Sequence, residues 1–256
     1  TLAGEGLQHQ DGHSHILSGT IPNCVSYDPT FAYELAVIIQ NGLHRMYEKM
    51  ENVFYYITVM NENYQQPDMP EGVEEGILKG MYLFKESKKK SKSHVQLMGC
   101  GTILREVLKA AEMLEEDFSV TSDIWSVTSF NELRRDGLKI ERDNLMHPNA
   151  KAKECYVTTQ LKDTKGPVIA ATDYMRLYAD QIRPFVPNHF VTLGTDGYGR
   201  SDTRAQLRHF FEVDAKYIVL AALNALASEG AIDKSKVLDA MKRYSINPDK
   251  LDPVNH

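Results

Sequence analysis

Cysteine is scarce in this sequence. Cys24, Cys100 and Cys155 are odd in number, widely spaced and form no Cys-x-x-Cys pair. That argues against a disulfide framework or a structural zinc site, and makes a reducing compartment the expectation. Positive charge is in deficit: 29 Lys and Arg against 35 Asp and Glu give a formal charge of −6. A protein whose main task is gripping nucleic acid is therefore not expected, because phosphate neutralisation needs a concentrated excess of Lys and Arg. The one basic run, Lys88-Lys89-Lys90-Ser91-Lys92, reads as a solvated linker. No apolar stretch approaches the roughly 18 residues needed to cross a bilayer, so no membrane partner is expected. An initiator Met is missing, and Thr1-Leu2-Ala3-Gly4-Glu5-Gly6 lacks the charged-then-apolar layout of a signal peptide. The expectation is a piece of a longer chain.

What is present suits a globular protein. The 256 residues are 42% hydrophobic and 25% charged, enough for one large domain or two smaller ones around a sizeable core. Residues 1–15 hold three Gly and three His among polar neighbours and read as loop. Asp28-Pro29 reads as a helix start, and Phe31, Leu35, Ile38, Ile39, Leu43 and Met46 recur at helical spacing over about 29–49. Val53 to Val59 is aromatic and β-branched, a buried strand. The Pro-, Gly- and Lys-rich stretch 66–92 is expected to be a linker, with a short helix within 71–79. Strands are then expected at 94–98, 119–127, 168–171 and 190–193. Helices are expected at 102–116, 131–145, 173–182 (capped by Asp173), 204–211, 215–228 (Asp214 cap, Gly230 stop) and 234–244. Such alternation builds an α/β fold over a mainly parallel sheet.

The densest chemistry is Glu5-Gly6-Leu7-Gln8-His9-Gln10-Asp11-Gly12-His13-Ser14-His15. Imidazole exchanges protons near neutral pH, so the segment suits acid–base work or an anionic substrate. Three readings stand side by side: a polar surface loop, a His-x-x-x-His-x-His metal site disfavoured by Gly12, and a catalytic loop closing over a carboxylate. Among the rest, Trp125 reads as core. Cys100 could be exposed but carries no mark of a nucleophile. His44, His94, His147, His189 and His209 are isolated in sequence. Gly194 to Asp202 follows a strand but lacks the third glycine of a dinucleotide fingerprint, and reads as a structural turn.

The segment from Gly4 to His15 resembles the active-site loop of homodimeric pyruvate dehydrogenases, within the thiamine-dependent transketolase superfamily. Asp11-Gly12-His13-Ser14-His15 is similar to the shorter transketolase pattern that ends on a substrate-binding His. The resemblance continues through Ile21 to Pro29, Asn61-Glu62-Asn63-Tyr64, Ser126 to Leu133, Thr172-Asp173-Tyr174-Met175 and Gly194 to Asp202. It implies that His9 faces the carboxylate of pyruvate, that Glu5 supports the pocket and that His15 is a second substrate contact; His13 receives no role. It also implies a homodimer in the bacterial cytoplasm that passes acetyl groups to the lipoyl arm of a dihydrolipoamide acyltransferase.

Thiamine diphosphate and Mg2+ are the implied cofactors, but the Gly-Asp-Gly and paired-Asn motifs that hold them in this superfamily are not in the sequence. This chain is thus expected to bind neither tightly and to be inactive alone, with no metal site of its own. The expected fold class is α/β: the end of a parallel-sheet pyrimidine-binding domain (1–65), a linker (66–92) and a transketolase-like C-terminal α/β domain (93–256). The alternatives are another enzyme of the superfamily, such as a transketolase or a different 2-oxo acid dehydrogenase, and a non-catalytic dimerisation or assembly module.

Overall fold

The computed structural model describes residue 1, residues 9–89 and residues 91–255. A first, small unit begins with helix α1 (Ser14–Gly19) and strand β1 (Cys24–Tyr27). Helix α2 (Ala32–Leu43) follows, prolonged by one wider turn at His44–Glu48, and then strand β2 (Phe54–Ile57). β1 and β2 pair in parallel, Val25 opposite Tyr55. Helix α3 (Glu74–Lys79) and strand β3 (Met81–Lys85) lead into the second unit. There β4 (His94–Gly99), α4 (Ile103–Phe118), β5 (Thr121–Val127), α5 (Phe130–Met146), α6 (Tyr156–Leu161) and β6 (Val168–Ala171) follow in order. The chain closes with α7 (Leu177–Asp180), β7 (Phe190–Leu193), α8 (Arg204–Phe210), α9 (Ala215–Ser228) and α10 (Ser235–Arg243). The sheet order is β3-β5-β4-β6-β7, with β3 antiparallel and the other four strands parallel.

Strand periodicity divides the core into two layers. Val95 and Leu97 of β4 point to a layer shared with Leu104, Val107 and Leu114 of α4 and Ile218, Ala222 and Leu226 of α9. Met98 points to the opposite layer, with Phe130 and Leu133 of α5, Val157 and Leu161 of α6 and Tyr178 of α7. A parallel sheet covered on both faces needs apolar strands, and β4, β5 and β6 are largely buried along their length. Trp125 is core as expected, its indole N–H donating to Gln96 Oε1 at 2.8 Å.

The stretch 66–92, expected as a linker, is not free chain. β3 is an edge strand of the main sheet, and Ile77 and Tyr82 pack with Val25, Tyr27 and Ile38 in a third apolar cluster that joins the two units. β2, expected to be buried, is only half so, because its one strand partner among the described residues is β1. Asp28-Pro29 does not cap α2. That helix starts at Ala32, and its leading N–H groups at Thr30 and Phe31 donate to Glu34 Oε2 at 2.6 and 3.0 Å. Asp173 caps no long helix, since only Leu177–Asp180 is helical there. β1 and α6 were not expected at all. Cys100, thought accessible, is fully buried together with Cys24 and Cys155.

The Asn61-Glu62-Asn63-Tyr64 motif straps the first unit onto the second. Glu62 accepts from Arg208 at 2.7 Å and pairs with Arg105 at 2.6 Å, and Thr102 donates to it at 3.0 Å. Burial raises this carboxyl, but the hydrogen bonds from Arg208 and Arg105 outweigh that and hold it at about 2. Tyr64 lies under the Arg105 guanidinium and donates to the Thr30 carbonyl.

Candidate active site

The described part of the histidine-rich segment, residues 9–15, is built against the carboxyl end of the five-stranded sheet, the edge where open α/β sheets bind ligands. Three anchors hold it. The Gln10 amide brackets the backbone of Arg200, with Arg200 N–H donating to Gln10 Oε1 at 2.6 Å and Gln10 Nε2 donating back to the Arg200 carbonyl. The Gly12 carbonyl accepts from Met175 N–H at 3.0 Å. Asp11 Oδ1 accepts from the N–H groups of His13 and Ser14, each at 3.0 Å, which organises the first turn of α1. Burial pushes the Asp11 carboxyl up, but the bonds from Ser14 and His13 prevail and keep it below its ordinary range. A small cavity of about 90 Å³ beside the loop is lined by Gln10, Asp11, Gly12, His13, Asp173 and Thr195, but not by His9.

The expected site residues fall in different settings. Glu5 lies outside the described residues. His9 is exposed and has no polar partner among the described residues. His15 is fully buried on α1. Its ring stacks on Tyr178 at 4.8 Å and meets the edges of Tyr174 at 4.6 Å and Tyr56 at 5.4 Å. The structure therefore does not bring His9 and His15 into one cavity, and His15 faces tyrosines where a substrate contact was expected.

Sequence reasoning missed the groups that His15 does touch. Its Nε2 lies 2.9 Å from Thr58 Oγ1, and Thr58 donates to Asp28 Oδ1 at 2.7 Å. Asp28 is inserted between the units. Its N–H donates to the Thr128 carbonyl at 2.8 Å and its carbonyl accepts from Gly101 N–H at 3.1 Å, just beyond the ends of β5 and β4. Burial holds His15 down at about 4, only partly countered by Asp11, and burial also pushes Asp28 up to about 7 despite its bond to Thr58. These partners are dozens of residues apart and leave no local signature.

The two shifts have opposite pH signatures. His15 has a folded pKa below its ordinary 6.5, so its contribution is lost as pH falls from 6.5 towards 4. Asp28 has a folded pKa above its ordinary 3.8, so its contribution is lost as pH rises from 3.8 towards 7. Between pH 4 and 6.5 the two nearly cancel. Relative to the unsubstituted protein, Asp28→Asn is expected to lose about 3 kcal/mol on going from pH 6.5 to 4, and His15→Gln to gain a similar amount. Urea denaturation at several pH values checks this; parallel profiles for all three proteins would refute it.

The five histidines expected to be isolated are not. His44, His94, His147, His189 and His209 each lie within 2.8 to 3.5 Å of a carboxylate. The Gly194–Asp202 turn, read as structural, seats the described part of the histidine loop. Gly194 lets the backbones of Tyr174 and Arg176 approach, and a Cβ at Gly199 would stand 2.5 Å from Gln10 Oε1.

Comparison with known proteins follows this division into two units. Residues 1–67 match the family model of the pyruvate dehydrogenase E1 component middle domain, and residues 80–214 match that of the transketolase-like TK C-terminal domain. The pyruvate dehydrogenase E1 component of Pseudomonas aeruginosa is 60% identical over 256 residues, covering 100% of this chain and 29% of that protein. The component of the same name from Escherichia coli strain K12 is 57% identical over 255 residues, 99% of this chain and 28% of that protein. The chain thus spans less than a third of the length of these curated relatives. Transketolase from Pichia stipitis shares the fold, with a TM-score of 0.63 at 13% identity over 90% of this chain and 29% of that one.

Proposed function

We propose, from the premise that this chain belongs to the transketolase-like C-terminal domain family, that it serves a longer pyruvate dehydrogenase component as one wall of its pyruvate pocket. One observation carries the reading: the loop is tied down at Gln10, Asp11, Gly12 and His15, while His9 keeps its imidazole exposed and unengaged among the described residues. An exposed imidazole on an anchored loop can meet a carboxylate contributed from elsewhere, orient it and stabilise charge as carbon dioxide leaves. Glu5 is proposed as a support near the same pocket. His15, walled in by tyrosines, seats the loop in this reading.

Thiamine diphosphate with Mg2+ is the cofactor proposed for the longer protein. The chain's own described residues do not fit that role, since no group of three His, Cys, Asp or Glu among them is placed to hold a metal ion. No step is routed through the cofactor on these residues. A homodimer, transfer of the acetyl group to the lipoyl arm of an acyltransferase and a bacterial cytoplasmic location complete the proposal.

His9→Ala in the longer protein is expected to lower kcat/KM for pyruvate on the order of a hundredfold while leaving the folded state intact, because a positioned group at the reacting carboxylate is lost. Steady-state assays with pyruvate, and with 2-oxoglutarate as a control, check it. Unchanged turnover and unchanged pyruvate affinity would remove His9 from the site.

A further inference from the structure

Two buried polar groups, His15 and Asp28, meet the half-buried Thr58 hydroxyl where the first unit plugs the carboxyl end of the sheet. We propose that Asp28, acting through the Thr58 hydroxyl, fixes His15 as the neutral tautomer with its proton on Nε2, and that this locked ring holds the histidine loop in place. Asp28 and Thr58 are then positioning residues.

The argument is a count of protons. Thr58 has a single hydroxyl proton, and it points to Asp28 Oδ1 at 2.7 Å. Its oxygen can therefore only accept from the ring nitrogen 2.9 Å away, which puts a proton on His15 Nε2. The other ring nitrogen agrees. His15 Nδ1 is buried with no hydrogen-bond partner among the described residues. An orphaned lone pair is tolerated better than an orphaned N–H, and a charged imidazolium would need partners at both nitrogens. The tyrosine cage offers ring faces and edges but no carboxylate in contact with the ring.

Asp28 is the fixed end of the chain. It is clamped by backbone bonds to Thr128 and Gly101, and a Cβ at Gly101 would stand 2.4 Å from its Oδ2. The groups facing it are Glu34 from α2, Cys100 and Asp173 from the ends of β4 and β6, and Thr58, while Asp11 is the charged group facing His15. Oδ2 has no hydrogen-bond partner among the described residues. While Asp28 is ionised, Oδ1 can only accept from Thr58, and the direction of the relay is fixed. At the crevice where an open α/β sheet takes its ligand, this chain has seated its own loop.

The test uses the 256-residue chain with ¹⁵N-labelled histidine and two-bond ¹H–¹⁵N correlation spectra between pH 7.5 and 9, where Asp28 is ionised. The His15 signals are those lost in His15→Gln. The expected result is a protonated, pyrrole-type shift at Nε2 and a pyridine-type shift at Nδ1 across the range. A protonated Nδ1, or a His15 that titrates in that range, would overturn the proposal. Thr58→Val removes the hydroxyl and is expected to change the His15 tautomer signals, with Thr58→Ser restoring them; a Thr58→Val spectrum identical to the original also overturns it. The kinetic half rests on the His9 reading. In the longer protein, Thr58→Val is expected to raise KM for pyruvate on the order of tenfold, with recovery in Thr58→Ser. An unchanged KM would refute the loop-holding role. If His9→Ala proves silent while the tautomer is as expected, the catalytic reading fails and the tautomer relay stands.

Discussion

Glu34→Ala is expected to destabilise the chain by roughly 3–5 kcal/mol, the range for removing one partner from a buried, hydrogen-bonded charge network. Glu34 is fully buried at the start of α2 and receives four hydrogen bonds. Oε2 accepts from Thr30 and Phe31 N–H, while Oε1 accepts from the hydroxyls of Tyr82 and Ser126, both at 2.6 Å. Burial pushes this carboxyl above its ordinary value, and the four donors offset that only in part. The two backbone N–H groups require Oε2 to accept, whereas the Tyr82 and Ser126 hydroxyls can serve Oε1 as donors or acceptors.

The contacts cross the junction, because Tyr82 and Ser126 belong to β3 and β5 while Thr30 and Phe31 belong to the first unit. The alanine variant would strand two backbone N–H groups and leave a void behind them. Glu34→Gln is expected to cost far less, about 1 kcal/mol. Its carbonyl oxygen can still take the two N–H groups, and the Tyr82 and Ser126 hydroxyls can turn to accept from its amide. Urea denaturation monitored at Trp125 compares the two. Equal losses for Ala and Gln, or a loss below about 1 kcal/mol for Ala, would show that the network does not hold the units together.

Gly166→Ala is expected to be at least as damaging, above about 4 kcal/mol or enough to prevent folding. Gly166 sits in the turn before β6 with φ +78°, and a Cβ there would lie 1.7 Å from the carbonyl oxygen of His94. That obstacle is backbone at the start of β4, which cannot step aside without breaking the central sheet. The same turn is pinned by Gln96 N–H donating to the Pro167 carbonyl at 2.9 Å and Asn188 donating to the Gly166 carbonyl at 2.9 Å. Gly72→Ala is the matched control. It has a similar φ of +73° but nothing within 4 Å of its Cβ position, so it carries only the strain of the left-handed backbone, about 1 kcal/mol. Thermal unfolding of the two variants separates steric collision from backbone strain; equal shifts in Tm would remove the collision argument.

Much of the fold was legible in one dimension. The α4 face of Ile103, Val107 and Leu114, the strand at 168–171 and the Asp214 cap, which accepts from Tyr217 N–H at 3.1 Å, follow from spacing and local hydrogen-bond chemistry. Where the reading failed, context from elsewhere overrode local pattern. β3 looked like linker because its lysine- and glycine-rich surroundings dominate the composition, although Met81 and Tyr82 are buried against distant residues. The five scattered histidines looked isolated because some of their carboxylate partners are separated from them by many residues.

The sequence by itself determined the alternating α/β order, the parallel sheet and the histidine-rich segment with its resemblance to a superfamily. Those features depend on periodicity and on short motifs, which a chain carries locally. Only the tertiary structure decided that His15 is sealed while His9 is exposed, and that Asp28 is a buried acid and not a helix cap. It also showed that Thr58 stands between the two. Burial and hydrogen-bond partnership belong to pairs of residues 30 and 43 positions apart, brought together by packing of the small unit on the sheet edge, and no single stretch of sequence encodes them.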